Sequence, residues 1–165
     1  MGYYMDHLWS PWRMKYMEQD NQKSECIFCD AIQANLDDEK LVVYRGKWNF
    51  VMLNRFPYTS GHVMVVPLKH KAFFEDLDDP TQLELMRLIT ASTQVIRKVY
   101  HPDGFNIGAN IGAGSGAGVQ GHIHFHVVPR WGGDSNFMTT ISDTRVIPED
   151  LSQTLQKFKE AWPTK

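Results

Sequence analysis

From Leu41 onward the chain falls into short apolar runs: Leu41-Val42-Val43-Tyr44-Arg45, Trp48-Asn49-Phe50-Val51-Met52-Leu53-Asn54 and His62-Val63-Met64-Val65-Val66-Pro67. Runs of this length, rich in β-branched residues and separated by a turn holding Pro57 and Gly61, predict antiparallel strands. Between Thr81 and Val99 the period lengthens. Leu83, Leu85, Met86, Ile89, Val95, Ile96 and Val99 recur at three to four residues, which predicts an amphipathic helix laid over one sheet face, with Asp79-Pro80 as its start signal. Two more strands follow, GFNIGANI (104–111) and GHIHFHVVPR (121–130). The tail returns to helix over PEDLSQTLQKFKEAW (148–162), where Pro148, Glu149 and Asp150 suit a first turn. The first forty residues show neither period and predict an irregular arm, with a short helix from Cys29 to Asn35. The pattern is α+β: an antiparallel meander sheet with one long helix and a C-terminal helix on one side.

No repeat and no linker divides the sequence, so a single domain over 1–165 is expected. A chain of 165 residues is long enough to bury roughly 70% of its unfolded surface without a disulfide scaffold. With 22% charged residues and a formal net charge of −2, it has no broad basic field, which argues against a DNA or RNA polymer as ligand. Any nucleotide it binds is expected to be small. The start, MGYYMDHLWSPWRMKYM, is not the unbroken apolar run of a secretory signal. No stretch reaches the roughly eighteen apolar residues of a membrane helix. These features, with only two cysteines, predict a cytoplasmic protein that does not engage a membrane.

Three of the seven histidines stand at alternate positions in Gly121-His122-Ile123-His124-Phe125-His126-Val127-Val128. Successive strand residues point to opposite faces, so the imidazoles project together while Ile123, Phe125 and Val127 face the core. Half-exposed β-structure is the plain reading, and a three-histidine catalytic zinc site or nucleophilic catalysis are the functional ones. The preceding IGAGSGAGVQG has five glycines in eleven residues. Such a loop lets backbone N–H groups approach an anion closely, with Ser115 adding a hydroxyl, and it favours phosphorus chemistry. Cys26-Ile27-Phe28-Cys29 admits three readings of its own: half of a zinc knuckle, a redox pair, or two unrelated buried thiols.

His122-Ile123-His124-Phe125-His126-Val127-Val128 resembles the signature of the histidine triad (HIT) superfamily, in which three histidines alternate with apolar residues. Leu53-Asn54-Arg55 and Gly61-His62-Val63-Met64-Val65-Val66-Pro67 resemble its ribose-binding strand and the strand after it. Leu8-Trp9-Ser10-Pro11-Trp12-Arg13, Pro129-Arg130-Trp131-Gly132-Gly133-Asp134 and Arg145-Val146-Ile147-Pro148-Glu149-Asp150 are similar to the bacterial branch of diadenosine tetraphosphate phosphorylases and ATP adenylyltransferase-like proteins.

The resemblance implies an enzyme, a nucleotide hydrolase or transferase acting at the α-phosphate of AMP-containing substrates. His124 would be the nucleophile, forming a nucleotidyl-histidine, and His126 a donor to a non-bridging phosphate oxygen. For a free lone pair, the other N–H of His124 needs an acceptor, expected to be a neighbouring backbone carbonyl. Asn54 falls on the ribose position, although a turn-forming role serves that residue equally. Phe28, with Ile27 and Met52, would form the slot for the base, a buried core aromatic being the alternative. Asn110, Ser115, Gly116, Gly118 and Gln120 fall near the phosphates. The loop from Asn110 to His122 is one residue longer than in the hydrolase and phosphoramidase branches, so Ser115 and Gln120 are both candidates for assisting the leaving group. A phosphorylase that resolves the intermediate with phosphate and releases ADP, and a nucleotide-binding regulator with little turnover, are the alternatives.

The resemblance also implies a structural zinc on Cys26, Cys29, His70 and His122, a closed set of four ligands, with a metal-free CxxC as the alternative. No organic cofactor is implied. A homodimer is, from the family's habit of pairing. His7, His62 and His101 carry no pattern tying them to a site and are expected to be solvated or locally bonded.

Overall fold

Strands β1 (Val42–Arg45), β2 (Asn49–Leu53) and β3 (Val63–Pro67) form the meander that their apolar runs predict. The structure, a computed structural model, describes residues 26–34, 36–134 and 149–163. Most of the predicted N-terminal arm, His7 and Pro148 fall outside these residues. β2 and β3 pair from Asn49 opposite Pro67 to Leu53 opposite Val63, and all their residues are buried. Burial on both faces explains why these segments read as nearly continuous apolar runs.

The simple meander ends at β3. The sheet has the order β1-β2-β3-β5-β4, because β5 (Phe125–Arg130) inserts between β3 and the edge strand β4 (Gly104–Gly108). Helix α2 (Asp79–Tyr100) carries the chain from β3 to the far edge, and β5 returns into the gap. Both late strands are shorter than predicted, and His122 and His124 precede the regular pairing of β5. Their alternation survives nonetheless: Ile123 and Val127 lie in the core under α2, and Phe125 packs against it.

The helices obey local signals. Asp78 caps α2 by accepting a hydrogen bond from the Thr81 backbone N–H at 3.0 Å, one residue ahead of the predicted Asp79-Pro80 start. The helix ends at His101, in the left-handed conformation with φ 50°. Helix α3 (Leu151–Ala161) is capped by Asp150, which accepts from Gln153 N–H. α2 and α3 share one sheet face, where Leu85, Ile89, Ile96, Leu155 and Phe158 meet Val51, Val63, Val65 and Val127. Helix α1 (Ile27–Gln33) starts two residues before the predicted Cys29 and lies on the opposite face, where Phe28 and Ala31 pack on Val42, Phe50, Met52, Met64 and Val66. Gly61, at φ 79°, brings the β2–β3 connection against α2 and α3, since a Cβ there would stand 3.0 Å from the Tyr100 ring and 3.2 Å from Phe158. Among the described residues no helix is long and apolar enough to cross a membrane.

Candidate active site and metal centre

The alternation of residues 122–126 turns three imidazoles toward the sheet face that α1 partly covers. Each ring has a different partner, and the partners fix three tautomers. His124 Nδ1 lies 2.9 Å from the backbone carbonyl of His122. A carbonyl only accepts, so Nδ1 carries the proton and Nε2 keeps its lone pair. Burial lowers the His124 pKa, which favours this neutral form.

His126 is set from a residue that the sequence did not associate with it. His62 is buried, with 1% of its surface exposed. Its Nδ1 accepts from the Tyr58 backbone N–H at 3.1 Å, and its Nε2 lies 2.9 Å from His126 Nδ1. Burial first, then the neighbouring His126 and His124, push the His62 pKa down to about 3. Neutral His62 therefore carries its proton on Nε2 and donates it to His126 Nδ1, which leaves the His126 proton on Nε2. The expectation of a solvated or merely locally bonded His62 is replaced by a buried link in the triad. The signal was hidden in register: Met64 pairs with His126, and His62, two residues before Met64, shares its face. His101, by contrast, is exposed at the end of α2.

His122 faces away from this pair. Its Nε2 donates to the Pro67 carbonyl at 2.8 Å, so Nδ1 is the unprotonated nitrogen. That nitrogen lies 3.3 Å from Cys26 Sγ and 3.7 Å from Cys29 Sγ, while His70 Nδ1 lies 3.2 Å from Cys29 Sγ. Burial lowers the His122 pKa to about 4, against the Pro67 hydrogen bond. Burial also raises the Cys29 pKa, together with the adjacent Cys26. The ligand atoms of Cys26, Cys29, His70 and His122 all lie within 4.8 Å of one another, a group that could hold a metal ion. Metal–sulfur and metal–nitrogen bonds of about 2.0–2.3 Å in a tetrahedron put ligand atoms roughly 3.5 Å apart, so the donor types and spacing fit one ion. The Pro67 carbonyl orients His122 for that role, as outer partners of metal-bound histidines do.

A HIT domain profile matches residues 35–133. The chain belongs to the HIT family. An AP-4-A phosphorylase of Mycobacterium tuberculosis is 39% identical over 165 residues, covering 96% of this chain and 85% of that protein. An adenosine 5′-monophosphoramidase of Schizosaccharomyces pombe is 28% identical, covering 64% of this chain and 74% of its own. Among solved structures, a Zn-bound histidine triad family protein from Mycobacterium smegmatis superposes with a TM-score of 0.68 at 27% identity, covering 83% of this chain and 92% of that one.

The other HIT-type positions are spread over the α1 face, the turn after β2, a cavity beside β4 and β5, and the glycine loop. Phe28 is 1% exposed, in edge contact with His122 and tilted against His124 at 4.8 Å, while Met52 lies in the same cluster and Ile27 stays exposed. Asn54 Oδ1 accepts from Phe56 N–H, the turn-forming arrangement, which fixes the amide and leaves its NH2 as a donor. Asn110 lines a cavity of about 370 Å³ together with Tyr58, Asn106, His126 and Arg130. Ser115, Gly116, Gly118 and Gln120 lie on the glycine loop, outside that lining. Ser115 sits in a single tight turn (Ala113–Ser115), and its hydroxyl donates to the Gly112 carbonyl. Thr59 holds the preceding turn on β5 by donating to the Pro129 carbonyl at 2.9 Å.

Proposed function

We propose that this HIT-family, nucleotide-processing enzyme cleaves a phosphoanhydride or phosphoramidate next to AMP through a covalent intermediate on His124. The observation that carries the reading is the pair of opposed tautomers. His124 offers an Nε2 lone pair because its Nδ1 proton is committed to the His122 carbonyl. His126 offers an Nε2 proton because its Nδ1 is committed to His62. A lone pair and a donor on neighbouring rings, 4.9 Å apart between centroids, suit an electrophilic phosphorus and its non-bridging oxygen.

In the step proposed, the His124 Nε2 lone pair forms an N–P bond while the bond from phosphorus to the leaving group breaks. Diadenosine tetraphosphate would release ATP and leave AMP on the histidine. The His126 N–H donates to the non-bridging oxygen as charge grows there. An acceptor oxygen then displaces the imidazole, giving AMP with water or ADP with phosphate. Asn54 donates to the ribose, the base lies in the apolar slot at Phe28, Ile27 and Met52, and loop N–H groups at Gly116 and Gly118 hold the phosphates. Ser115 and Gln120 are the candidates for assisting the leaving group, with Asn110 near the phosphates.

A phosphorylase is the more specific reading, favoured by the 39% identity to an AP-4-A phosphorylase over nearly the full length. Incubation with diadenosine tetraphosphate separates the choices. ADP formed only when phosphate is added supports phosphorolysis, AMP without phosphate supports hydrolysis, and no product with either leaves a nucleotide-binding regulator. Mass detection of an adenylyl group on His124, absent from His124→Asn, tests the intermediate itself.

Cys26, Cys29, His70 and His122 are assigned to a zinc ion, which when bound would crosslink α1 to the segments before α2 and β5. Two thiolates and two imidazoles close a tetrahedron with no place for water, so the assigned role is structural. Metal analysis checks it: about one zinc per chain in the wild type, lost in a Cys26→Ser, Cys29→Ser double variant. A cytoplasmic location and a homodimer complete the reading.

A further inference from the structure

We propose that Arg130, locked by Asp134 and Asn106, forms a second anion subsite for the distal phosphates of the substrate, the portion that departs when the bond at the α-phosphorus breaks. The inference rests on the nucleotide reading above and carries it beyond the reacting phosphate.

Strand geometry places the subsite. His126 and Arg130 are four residues apart on β5 and so share a face, about 13 Å apart along the strand. Both line the cavity of about 370 Å³ that also receives Tyr58, Asn106 and Asn110. Asn106 pairs with Val128, midway between them, on the adjacent β4. Among the described residues, those lining this cavity include no carboxylate, and Arg130 is their one formal cation. A polyphosphate running from the His126 end therefore meets amide donors and then a guanidinium.

That guanidinium is held in one pose. Its Nε and Nη2 donate to the two Asp134 oxygens at 2.5 and 2.8 Å, and its Nη1 donates to Asn106 Oδ1 at 2.7 Å. Three of five N–H bonds are used, and two remain. Because Asn106 accepts through Oδ1, its NH2 is also left as a donor. The following turn exists to bring Asp134 back: Asp134 N–H donates to the Trp131 carbonyl, Gly133 takes φ 78°, and Gly132 N–H donates to Asp103. The bidentate pair, with Arg130 44% and Asp134 11% exposed, closes the turn but orders a long side chain at an entropic cost, and closing a turn does not need a guanidinium with spare donors. A pre-oriented fork is instead what recognition of phosphate oxygens requires. Asp134, 11% exposed, offsets part of the charge, which suits a product that must leave after each turnover.

The test compares equilibrium binding of AMP with that of α,β-methylene ATP, whose carbon bridge resists cleavage, by titration calorimetry on the wild type and Arg130→Gln. The wild type is expected to bind the longer nucleotide at least about ten-fold more tightly, as charge-assisted hydrogen bonds predict. In Arg130→Gln that advantage should fall below about three-fold while AMP affinity stays within about two-fold. Asn106→Ala, which leaves β5 intact, should move the advantage in the same direction by less. An advantage that survives both substitutions overturns the subsite. So does a parallel loss of AMP affinity in Arg130→Gln, which would assign Arg130 to holding the site together. A wild type that binds neither nucleotide overturns the nucleotide reading and the subsite together, an outcome distinct from the other two.

Discussion

At the scale of single residues, His62 shows how a tautomer becomes a functional property. Its only described route to solvent is 1% of its surface, and both ring nitrogens are committed. His62→Phe keeps an aromatic of similar volume but removes the donor to His126 Nδ1. His126 Nδ1 then loses the donor that fixes its tautomer, and with it the Nε2 proton on which the proposed phosphate contact depends. Turnover should fall at least ten-fold, by roughly the logic of an orienting partner in a catalytic triad, with KM changing far less. Steady-state kinetics on a dinucleotide polyphosphate check this; a change confined to KM contradicts it. The same burial makes a pH prediction. Above 6.5, its ordinary value, His62 is neutral in both folded and unfolded chains. Below that the unfolded chain binds a proton that the folded protein refuses down to about 3. Stability from this group is therefore complete above 6.5 and lost as pH falls, by up to about 1.4 kcal/mol per pH unit. Urea midpoints measured from about pH 7 to 4 should fall less steeply in His62→Phe than in the wild type.

Between residues and the fold stand the elements, and here two side chains set the geometry. Glu84 of α2 accepts hydrogen bonds from the backbone N–H groups of Lys47, Trp48 and Asn49 and from the Asn49 amide, tying the β1–β2 hairpin to the helix. Burial opposes its charge, yet these donors hold its pKa below the usual carboxylate range. Glu84→Ala leaves three N–H groups without their acceptor and should cost about 2 kcal/mol, read from chemical denaturation. At α1, Arg45 of β1 donates to the Ala31 and Ile32 carbonyls, so the cysteine-bearing helix is clamped to the sheet from its other end. His122 joins that helix to the triad, since its ring faces the cysteines while its carbonyl receives the His124 proton. Removal of the assigned zinc by a chelator, or the double cysteine variant, should therefore lower the melting temperature and the rate together without abolishing turnover. Loss of rate with unchanged melting would contradict a structural metal. The existence and type of most elements were legible from periodicity, because each strand and helix carries its own apolar pattern. The insertion of β5 was not: strand order depends on which edges pair, and no run of residues encodes that locally. The helix starts slipped by one to three residues for a similar reason, the C-terminal helix beginning at Leu151 with Asp150 as its cap rather than in its first turn, as Asp78, Asp79 and Asp150 are equivalent signals until the backbone chooses. In the site, the alternating histidines and the grouping of Cys26, Cys29, His70 and His122, which could hold a metal ion, were legible, whereas the His62 link and the Arg130 clasp required register.

For the whole molecule, the sheet has an unfinished edge. Among the described residues β4 pairs only with β5, its last three residues are exposed, and Ile107 and Ile111 present 48% and 42% of their surfaces. An edge strand with free backbone groups, apolar side chains and no proline or lysine invites pairing with a second strand. A second copy of the same strand satisfies it by two-fold symmetry and would extend the five-stranded sheet across both chains. Because Ile107 and Gly108 also line the cavity with His126 and Arg130, pairing at this edge would narrow the space proposed for the phosphates. Assembly and substrate affinity should then be linked. Ile107→Lys places a charge on the edge and should shift light-scattering mass from two chains toward one, with weaker nucleotide binding that recovers at high protein concentration. If the mass stays at two chains while affinity falls, the contact lies elsewhere and Ile107 acts only within its own cavity. If the mass halves with affinity unchanged, the edge pairs but each chain carries a complete site.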